Sequence, residues 1–531
     1  MTTHLAPQSG YDVRGRRISG TPAEKLEQID MAVQELLDIK TLECASHNPS
    51  VRFLAVPRPR SHAFAMTVTV LLLLVVLVLL LGAHSARAQD APAPAAPAAQ
   101  TPPSSATIVP AKKPEPFSFA DFTWLSGNPR TKESPIDSKV FTGEFRADTN
   151  YTYSFNKPQD DTIGGSSEIF RSGEFQVTQL GVGGDFHYDN VQMRLMTQFG
   201  MYSQTTPRND ASPARGQWDL DTAYRYISEA YGGYHIDKMD GINVQAGIFM
   251  SYVGLWSYYN FDNWTYQPSY VSSNTPWFFN GMRVQIFPNE KLKIEPWLIN
   301  GWQSYGKFNH APGFGGQILY RPNGSVSVLF NNYIGTDTLG NPGRKRVHTD
   351  DSIQVKYYDK PANPITKGAF TFTFDAGCEF GGGVTCTADT PTAPAQNFLG
   401  IMAYHRVWFD KDRFALTVGG GAIDNPGRYL VLMPPINGAT AISGTPYFTE
   451  NPGDPYKAWD MQTTFDFMPS QFVTFRAEFV HRGANVPYFS GAAGITPPGG
   501  NIGAPGSFVD GWAPDLRKTE NRVTFAFLVK M

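Results

Sequence analysis

The residues of this chain that could do chemistry are charges that alternate with apolar residues along strand-like segments. In Phe141 to Phe155, reading FTGEFRADTNYTYSF, Glu144, Arg146 and Asp148 share one face, and aromatic, Gly, Ala and Thr residues share the other. Side chains of a strand alternate between two faces, so these three charges project to the same side of a sheet. Charges spaced in this way can order ions and polar solutes if water reaches that face.

The same arrangement recurs in later segments. Val191 to Met201 places Arg194 opposite an apolar face, and further strand candidates carry charges on their polar faces. We therefore predict a water-filled inner surface to which several strands contribute. The candidate residues that line it are Glu144, Arg146, Asp148, Arg194, Arg283, Lys293, Glu295, Arg476 and Glu478. Because both signs of charge are present, we expect weak ion selectivity.

The length of the first alternating segment separates a membrane strand from a soluble one. Ordinary strands have about 5–6 residues, whereas a tilted strand that crosses a bilayer needs roughly 9–11. Phe141 to Phe155 exceeds both lengths, and aromatic residues occupy both ends of its apolar face. Such aromatics are typical of the two membrane interfaces. The segment is therefore predicted to cross a membrane.

Composition favours one large β architecture over several soluble domains. The 531 residues include 50 Gly, 37 Phe and 24 Tyr, and only 17% are charged. Short Asn, Asp, Gly and Pro turns alternate with long polar connections, which is the asymmetry of a bacterial barrel. We predict an all-β fold, a single antiparallel transmembrane β-barrel of about 16 strands (14–18), with short periplasmic turns and long extracellular loops.

The N-terminal region has the features of a cleaved export signal. Met66 to Gly82 is an apolar run followed by Ala86-Arg87-Ala88, so residues 51–88 are predicted to be a signal peptide cleaved between Ala88 and Gln89. Residues 1–50 form an extension unlike exported sequences, and we favour a true translation start near Val51 over a retained signal anchor.

Three further segments follow this signal. Residues 89–116 are rich in Pro and Ala and are predicted to be a periplasmic linker. Residues 117–138 form a lead-in segment that either plugs the barrel or folds as a small helix. Residues 139–531 form the barrel itself. Cys378 and Cys386, eight residues apart, are predicted to form a disulfide, with two free thiols as the alternative.

One long connection, Tyr252 to Trp277, is unusually aromatic. It could fold inward as a constriction whose rings stack on sugars, or it could pack as a rim cap and interface girdle. We favour the rim cap. The aromatic candidates for a constriction or a sugar-stacking loop are Trp256, Tyr259, Trp264, Tyr266 and Trp277.

Several segments resemble the OmpL-like β-barrel porin family of Gram-negative outer membranes. They include SFADFTWLSGNPR (Ser118 to Arg130), FTGEFRADTNYTYSF, QLGVGGDFHYDN (Gln179 to Asn190) and RLMTQFGMYSQTTPRNDASPARGQWDL (Arg194 to Leu220). The resemblance extends from about Phe117 to the C-terminus and implies an outer-membrane barrel that passes small solutes. The chain ends in Met531, whereas many barrel proteins end in an aromatic residue.

These observations predict an outer-membrane porin, a passive diffusion channel for small hydrophilic solutes or ions. Its expected partners are outer-membrane lipid and lipopolysaccharide, with a homotrimer by analogy to other sixteen-stranded porins; net charge of -3 does not favour nucleic acid. No G-x-S-x-G, H-E-x-x-H or P-loop motif is present, so we expect no enzyme activity, catalytic residue, metal or cofactor. The alternative is a plugged structural or adhesive barrel that acts through its long loops.

Overall fold

Long strands with alternating faces account for most of the structure, a computed structural model that describes residues 10–11, 17–18, 115–387, 395–425, 456–493 and 515–531. The predicted signal peptide, with Ala88 and Gln89, and nearly all of the linker lie outside the described residues. The chain divides into two compact units, Met1–Ala99 and Gln100–Met531. In the first unit, Gly10–Tyr11 pairs antiparallel with Arg17–Ile18.

Within the described part of the second unit, sixteen antiparallel strands form one closed barrel. The strands are β1 Phe141–Ser154, β2 Phe175–Tyr188, β3 Val191–Thr197, β4 Ile227–Ile236, β5 Ile242–Met250, β6 Phe278–Asn289, β7 Leu292–Ile299, β8 Gly313–Asn323, β9 Val326–Gly335, β10 Lys345–Asp359, β11 Ile365–Phe380, β12 Gln396–Phe409, β13 Phe414–Asn425, β14 Tyr456–Ser470, β15 Val473–Ala484 and β16 Thr519–Lys530. The predicted strand number and fold class are confirmed.

The barrel closes between its first and last strands. Arg522 of β16 lies opposite Ser154 of β1, and Lys530 lies opposite Arg146. Beyond β16, the backbone N–H of Met531 donates to the Phe145 carbonyl at 2.9 Å. Closure leaves no unpaired strand edge, which is the requirement for a sheet in a bilayer.

The strands expose their apolar faces and bury their polar faces, which is the reverse of the arrangement in a soluble protein. Along β14, Trp459, Met461 and Phe465 are exposed on the outside, whereas Asp460 and Asp466 are buried inside. The outer surface is therefore suited to contact with lipid, and the polar side chains face the interior, here called the lumen.

The connections differ between the two ends of the barrel. At the short-turn end, tight turns such as 189–190 and 410–413 join neighbouring strands, and Asp189, Asp410, Lys411 and Asp412 adopt positive φ angles. Asp and Asn tolerate this conformation better than most residues, which is why turn chemistry located these hairpins in the sequence. At the long-loop end, the connections are longer and contain the remaining short elements.

Those elements are short helices and one two-stranded antiparallel β-ribbon. The helices are α1 Tyr202–Thr205, α2 Leu220–Tyr224 and α3 Tyr270–Ser273, with 3-10 turns at Pro207–Asn209, Ser212–Ala214 and Asn260–Asp262; Phe489–Ser490 pairs with Leu516–Arg517. Among the described residues, no helix has the length and apolar character needed to cross a membrane.

The lead-in segment (117–138) packs against the short-turn end. It contains the 3-10 turn Thr123–Leu125, where the buried Trp124 donates from Nε1 to the Gly324 carbonyl at 3.0 Å. Asn128 donates to the Ser470 carbonyl at 3.0 Å. Both acceptors belong to the short-turn end, so the segment lies across part of this mouth of the barrel.

The structure pairs Cys378, at the end of β11, with Cys386 in the connection that follows. Their Cα atoms are 5.2 Å apart, within the range usual for a disulfide. This bond closes a short loop at the long-loop end.

Candidate functional site

The aromatic connection between β5 and β6, here called the inserted loop (251–277), folds into the lumen. Its Tyr266 donates from the hydroxyl to Asp148 of β1 at 2.8 Å and from the backbone to Glu478 of β15 at 2.6 Å. Both acceptors are buried on the inner face of the barrel wall. The rim cap that we favoured from the sequence is therefore wrong.

A loop that enters the lumen must find partners for its backbone polar groups, because they leave bulk water. Arg476 of β15 supplies donors to three carbonyl groups of the loop. Its Nη1 donates to Asn260 at 3.0 Å and to Thr265 at 2.8 Å, and its Nη2 donates to Asn263 at 2.7 Å. One guanidinium thus holds a full bend of the inserted loop against the wall.

Arg406 of β12 provides a second anchor. Its Nη1 donates to the Trp264 carbonyl at 3.0 Å, and its Nη2 donates to Asp466 of β14 at 2.7 Å. Asp466 also accepts from Arg476 Nε at 2.6 Å, and all three charged side chains are fully buried. A buried carboxylate between two arginines is stable only when all partners are in place, so these residues act as one unit.

Carboxylates on the same wall accept the N–H groups of the loop. Glu478 accepts from the backbone N–H of Gln267 at 2.9 Å, in addition to that of Tyr266. Asp460 of β14 accepts from Ser269 Oγ at 2.9 Å and from the Tyr270 N–H at 2.8 Å, at the start of α3. The wall therefore satisfies both the donors and the acceptors of the inserted loop.

The loop also reaches the opposite side of the lumen. There, Tyr259 donates to Glu229 of β4 at 2.9 Å. Nearer to β15, Arg146 of β1 lies 4.0 Å over the Tyr259 ring and 2.9 Å from Asp262. Burial by itself would raise the pKa of Asp262, but the charges of Arg146 and Lys530 outweigh it and lower the pKa to about 2. The inserted loop is thus anchored to β12, β14, β15 and β1 and reaches β4 through the Tyr259 hydroxyl.

The structure divides the predicted lining residues into two groups. Arg146, Asp148, Arg476 and Glu478 anchor the inserted loop, as described above. The others form ion pairs with one another or with further wall residues: Arg194 with Glu144, Asp185 and Glu229 at 2.9, 2.8 and 2.7 Å, and Glu295 with Lys293 and with Arg283, the last at 3.6 Å. Glu144 also pairs with the anchor Arg146.

Solvent exposure differs between the two groups, with Glu295 as the exception. The side chains of Glu144, Arg194, Arg283 and Lys293 remain 15%, 11%, 15% and 14% exposed, whereas that of Arg476 is 0% exposed. Glu295 is buried beneath Lys293. Among the predicted lining residues, the charges that water still reaches therefore lie on β1, β3, β6 and β7.

Two of the aromatic candidates, Trp264 and Tyr266, are too deeply packed for sugars to stack on them. Trp264 and Tyr266 are both 0% exposed, and the Trp264 ring contacts Trp408 edge to face at 5.5 Å between centroids. Trp256, Tyr259 and Trp277 are also buried. Because no part of Trp264 or Tyr266 reaches solvent, the sugar-stacking interpretation is wrong for these two residues.

Sequence reasoning missed Arg406, Asp460 and Asp466, although a signal for them existed. Each stands at an inward position of an alternating strand, opposite outward residues such as His405, Met461 and Phe465. In the described ranges, no three His, Cys, Asp or Glu side chains are arranged to hold a metal ion.

The lead-in segment hydrogen-bonds to the inserted loop at Gly127. The Gly127 N–H donates to the Asp262 carbonyl at 2.9 Å, and Arg406 Nη2 donates to the Gly127 carbonyl at 2.7 Å. A Cβ at this position would lie 2.3 Å from the Asn263 carbonyl oxygen, so a side chain would force the two backbones apart.

Solved outer-membrane proteins resemble the fold at low identity. OmpT of Vibrio cholerae is 7% identical, with a TM-score of 0.39 over 75% of this chain and 99% of OmpT. The channel DcaP of Acinetobacter baumannii is 12% identical, with a TM-score of 0.40 over 75% of this chain and all of DcaP (100%). The anion-selective porin from Comamonas acidovorans is 8% identical, with a TM-score of 0.43 over 74% of this chain and 99% of the porin. No curated protein matches the sequence.

The family comparison covers most of the barrel. Residues 145–501 match the family described as "Putative beta-barrel porin-2, OmpL-like" (BBP2), which is more than half of the chain. The match includes most of β1, the whole inserted loop and the anchoring strands β12, β14 and β15. The closed, lipid-suited barrel is the architecture that such a porin requires. The chain therefore belongs to the OmpL-like β-barrel porin family of the Gram-negative outer membrane.

Proposed function

We propose that this porin is a passive diffusion channel for small hydrophilic solutes, narrowed by the inserted loop and only weakly selective among ions. One observation carries the proposal. The inserted loop crosses the lumen from Asp460 on β14 to Glu229 on β4, yet charges on β1, β3, β6 and β7 remain in contact with water.

A barrel of sixteen strands is too wide for wall side chains alone to fill. The inserted loop takes up part of this space, and the partly exposed charges mark the side on which a water path remains. Because ions lose hydration energy in a narrow space, they pass where charged or polar groups replace some of their water. Glu144, Arg194, Arg283 and Lys293 are such groups.

The pairing of these charges supports weak selectivity. Arg194 contacts three carboxylates, and both Lys293 and Arg283 contact Glu295. Paired charges largely cancel each other's field at the distance of a passing ion, especially at physiological salt. The described part of the channel thus presents neither a ring of cations nor a ring of anions.

The remaining parts of the proposal concern export and assembly. The chain carries a signal peptide at 51–88 and a periplasmic linker at 89–116, and the short-turn end, with the lead-in segment, faces the periplasm. The barrel contacts lipid and lipopolysaccharide through its apolar outer face and assembles as a homotrimer. It catalyses no reaction.

A plugged, adhesive barrel is the second candidate, and one observation favours it. The lead-in segment lies across part of the short-turn mouth and touches the inserted loop at Gly127, so two segments occupy the lumen together. If together they seal it, the protein acts through its long loops instead.

Single-channel recording distinguishes the two candidates. Protein extracted from outer membranes in detergent is inserted into planar bilayers, and current is measured across a series of KCl concentrations. We expect steady openings whose conductance rises with salt, and a reversal potential near zero in a tenfold KCl gradient. Silence from protein that is β-rich and heat-modifiable on gels would favour the plugged barrel. A reversal potential close to that of a perfectly cation- or anion-selective pore would contradict weak selectivity.

A further inference from the structure

A cavity of about 200 Å³ lies between the inserted loop and the first long loop (155–174). Its wall combines one carboxylate with aromatic rings and hydroxyl groups. The side chains that determine its chemistry are Glu168, Trp256, Tyr258, Ser272, Thr275 and Trp277. None of the charged residues predicted from the sequence contributes to it.

Glu168 is the only acidic or basic residue among those lining this cavity, and one of its oxygens has no partner. The residue is 4% exposed, and Oε1 accepts from Ser167 Oγ at 2.5 Å. Oε2 is buried and accepts no hydrogen bond from any residue that the structure describes. A carboxylate withdrawn from water is costly unless a cation or a proton neutralises it. Burial accordingly raises the pKa of Glu168 to about 8.

The aromatic residues of the wall favour one kind of cation over another. Tyr258 stacks on Trp277 at 5.8 Å between ring centroids, and Trp256 belongs to the same wall. Aromatic faces attract cations and also contact alkyl groups favourably. A hydrated metal ion would need several oxygen ligands, whereas an organic ammonium ion needs one negative charge and apolar walls.

We propose that this cavity is a binding site for a small organic ammonium ion, with Glu168 as its charge partner and Trp256, Tyr258 and Trp277 as its aromatic wall. The proposal rests on the proposed function in one respect, because the solute reaches the cavity through the barrel. Binding and conduction nevertheless have separate readouts. Loss of current with intact binding, or the reverse, shows which of the two proposals has failed.

Choline is a suitable probe because its charge is permanent, and 3,3-dimethylbutan-1-ol is its uncharged isostere. Affinities are measured by ligand-observed NMR titration of the detergent-solubilised protein. We expect choline to bind at least about ten-fold more tightly than the isostere, since a buried ionic contact is worth at least that factor. Equal affinities, or no binding of choline, would overturn the proposal without the need for any variant.

Glu168→Gln tests the charge partner directly. We expect this substitution to weaken choline binding at least about ten-fold and to leave the affinity for the isostere unchanged. Glu174→Gln is the matched control, because Glu174 lies near the end of the same connection, is exposed and pairs with Arg171. Choline affinity that is unchanged in Glu168→Gln, or lost equally in both variants, would contradict the assignment.

The pH dependence of choline affinity distinguishes a direct role of Glu168 in binding from a structural one. The pKa of about 8 leaves Glu168 mostly protonated at pH 6 and mostly ionised at pH 9, so choline affinity should rise over this interval. Other groups that act on it are Arg522 of β16, Glu478 of β15 and the buried Tyr202 and Tyr404. The rise should disappear in Glu168→Gln; a rise that persists would assign the titration to one of these groups and refute the proposal.

Discussion

Arg476 shows how a single residue decides the position of a whole loop. Its guanidinium joins three carbonyl groups of the inserted loop to Asp466, all of them away from solvent. A buried group of this kind stabilises the fold only when every donor and acceptor has a hydrogen-bond partner. Removing one of these side chains leaves the other polar groups buried and unsatisfied. Arg413, by contrast, forms an exposed ion pair with Asp410 in a turn.

We expect Arg476→Met to release the inserted loop while the barrel remains closed. The free energy of unfolding should fall by about 3–5 kcal/mol, as for other broken buried ion pairs, and single-channel current should become larger or noisier. Urea unfolding and planar-bilayer recording measure the two effects. Arg413→Met is the control and should cost at most about 1 kcal/mol. Wild-type current from Arg476→Met would show that this arginine does not hold the loop.

At the scale of elements, the inserted loop and the lead-in segment support each other through Gly127. We expect Gly127→Ala to separate them, because the new Cβ would stand 2.6 Å from the Phe261 carbonyl oxygen and even closer to that of Asn263. The cost should be about 1–3 kcal/mol in the free energy of unfolding, accompanied by altered conductance. Gly232→Ala in β4 is a matched control, since the nearest atom to its added Cβ is 4.0 Å away. Equal changes in stability and conductance in the two variants would argue against a close contact between the two segments at Gly127.

Elements differed in how well the sequence predicted them, and the reason is physical. Lipid imposes a strict alternation on each strand, and tight turns need Asn, Asp, Gly or Pro, so β1, β3 and the hairpin turns could be recognised from local residues alone. The inserted loop depends on partners that are distant in the chain: Arg476 is 213 residues from Asn263. Its many aromatic residues suit a membrane interface and a packed interior equally well, and only the position of Arg406, Asp460 and Asp466 on the facing wall distinguishes the two.

At the scale of the whole molecule, closure between β1 and β16 makes the chain a ring of strands. Thr152 and Thr524 face each other across this seam, with their hydroxyl oxygens 2.9 Å apart. Cysteines at the two positions should be close enough to form a disulfide.

We expect the double variant Thr152→Cys and Thr524→Cys to form this bond in the folded barrel. Mass spectrometry of peptides from oxidised, unreduced protein would detect the link. The pair Thr152→Cys and Thr371→Cys is the control, because Thr371 belongs to β11, which pairs with β10 and β12 and not with β1. A link in the control, or none across the seam, would contradict the strand order.

The pairing of β1 with β16 also determines when the barrel can close during biogenesis. β1 is the first strand of the barrel to be made, but one of its two edges pairs with β16, the last of the sixteen. A nascent chain that lacks β16 cannot complete the ring, and an open edge invites pairing with other chains. Contacts of such long sequence separation also form slowly. Most of this polypeptide must therefore be translated, exported and kept from aggregating before any of it can reach its final form.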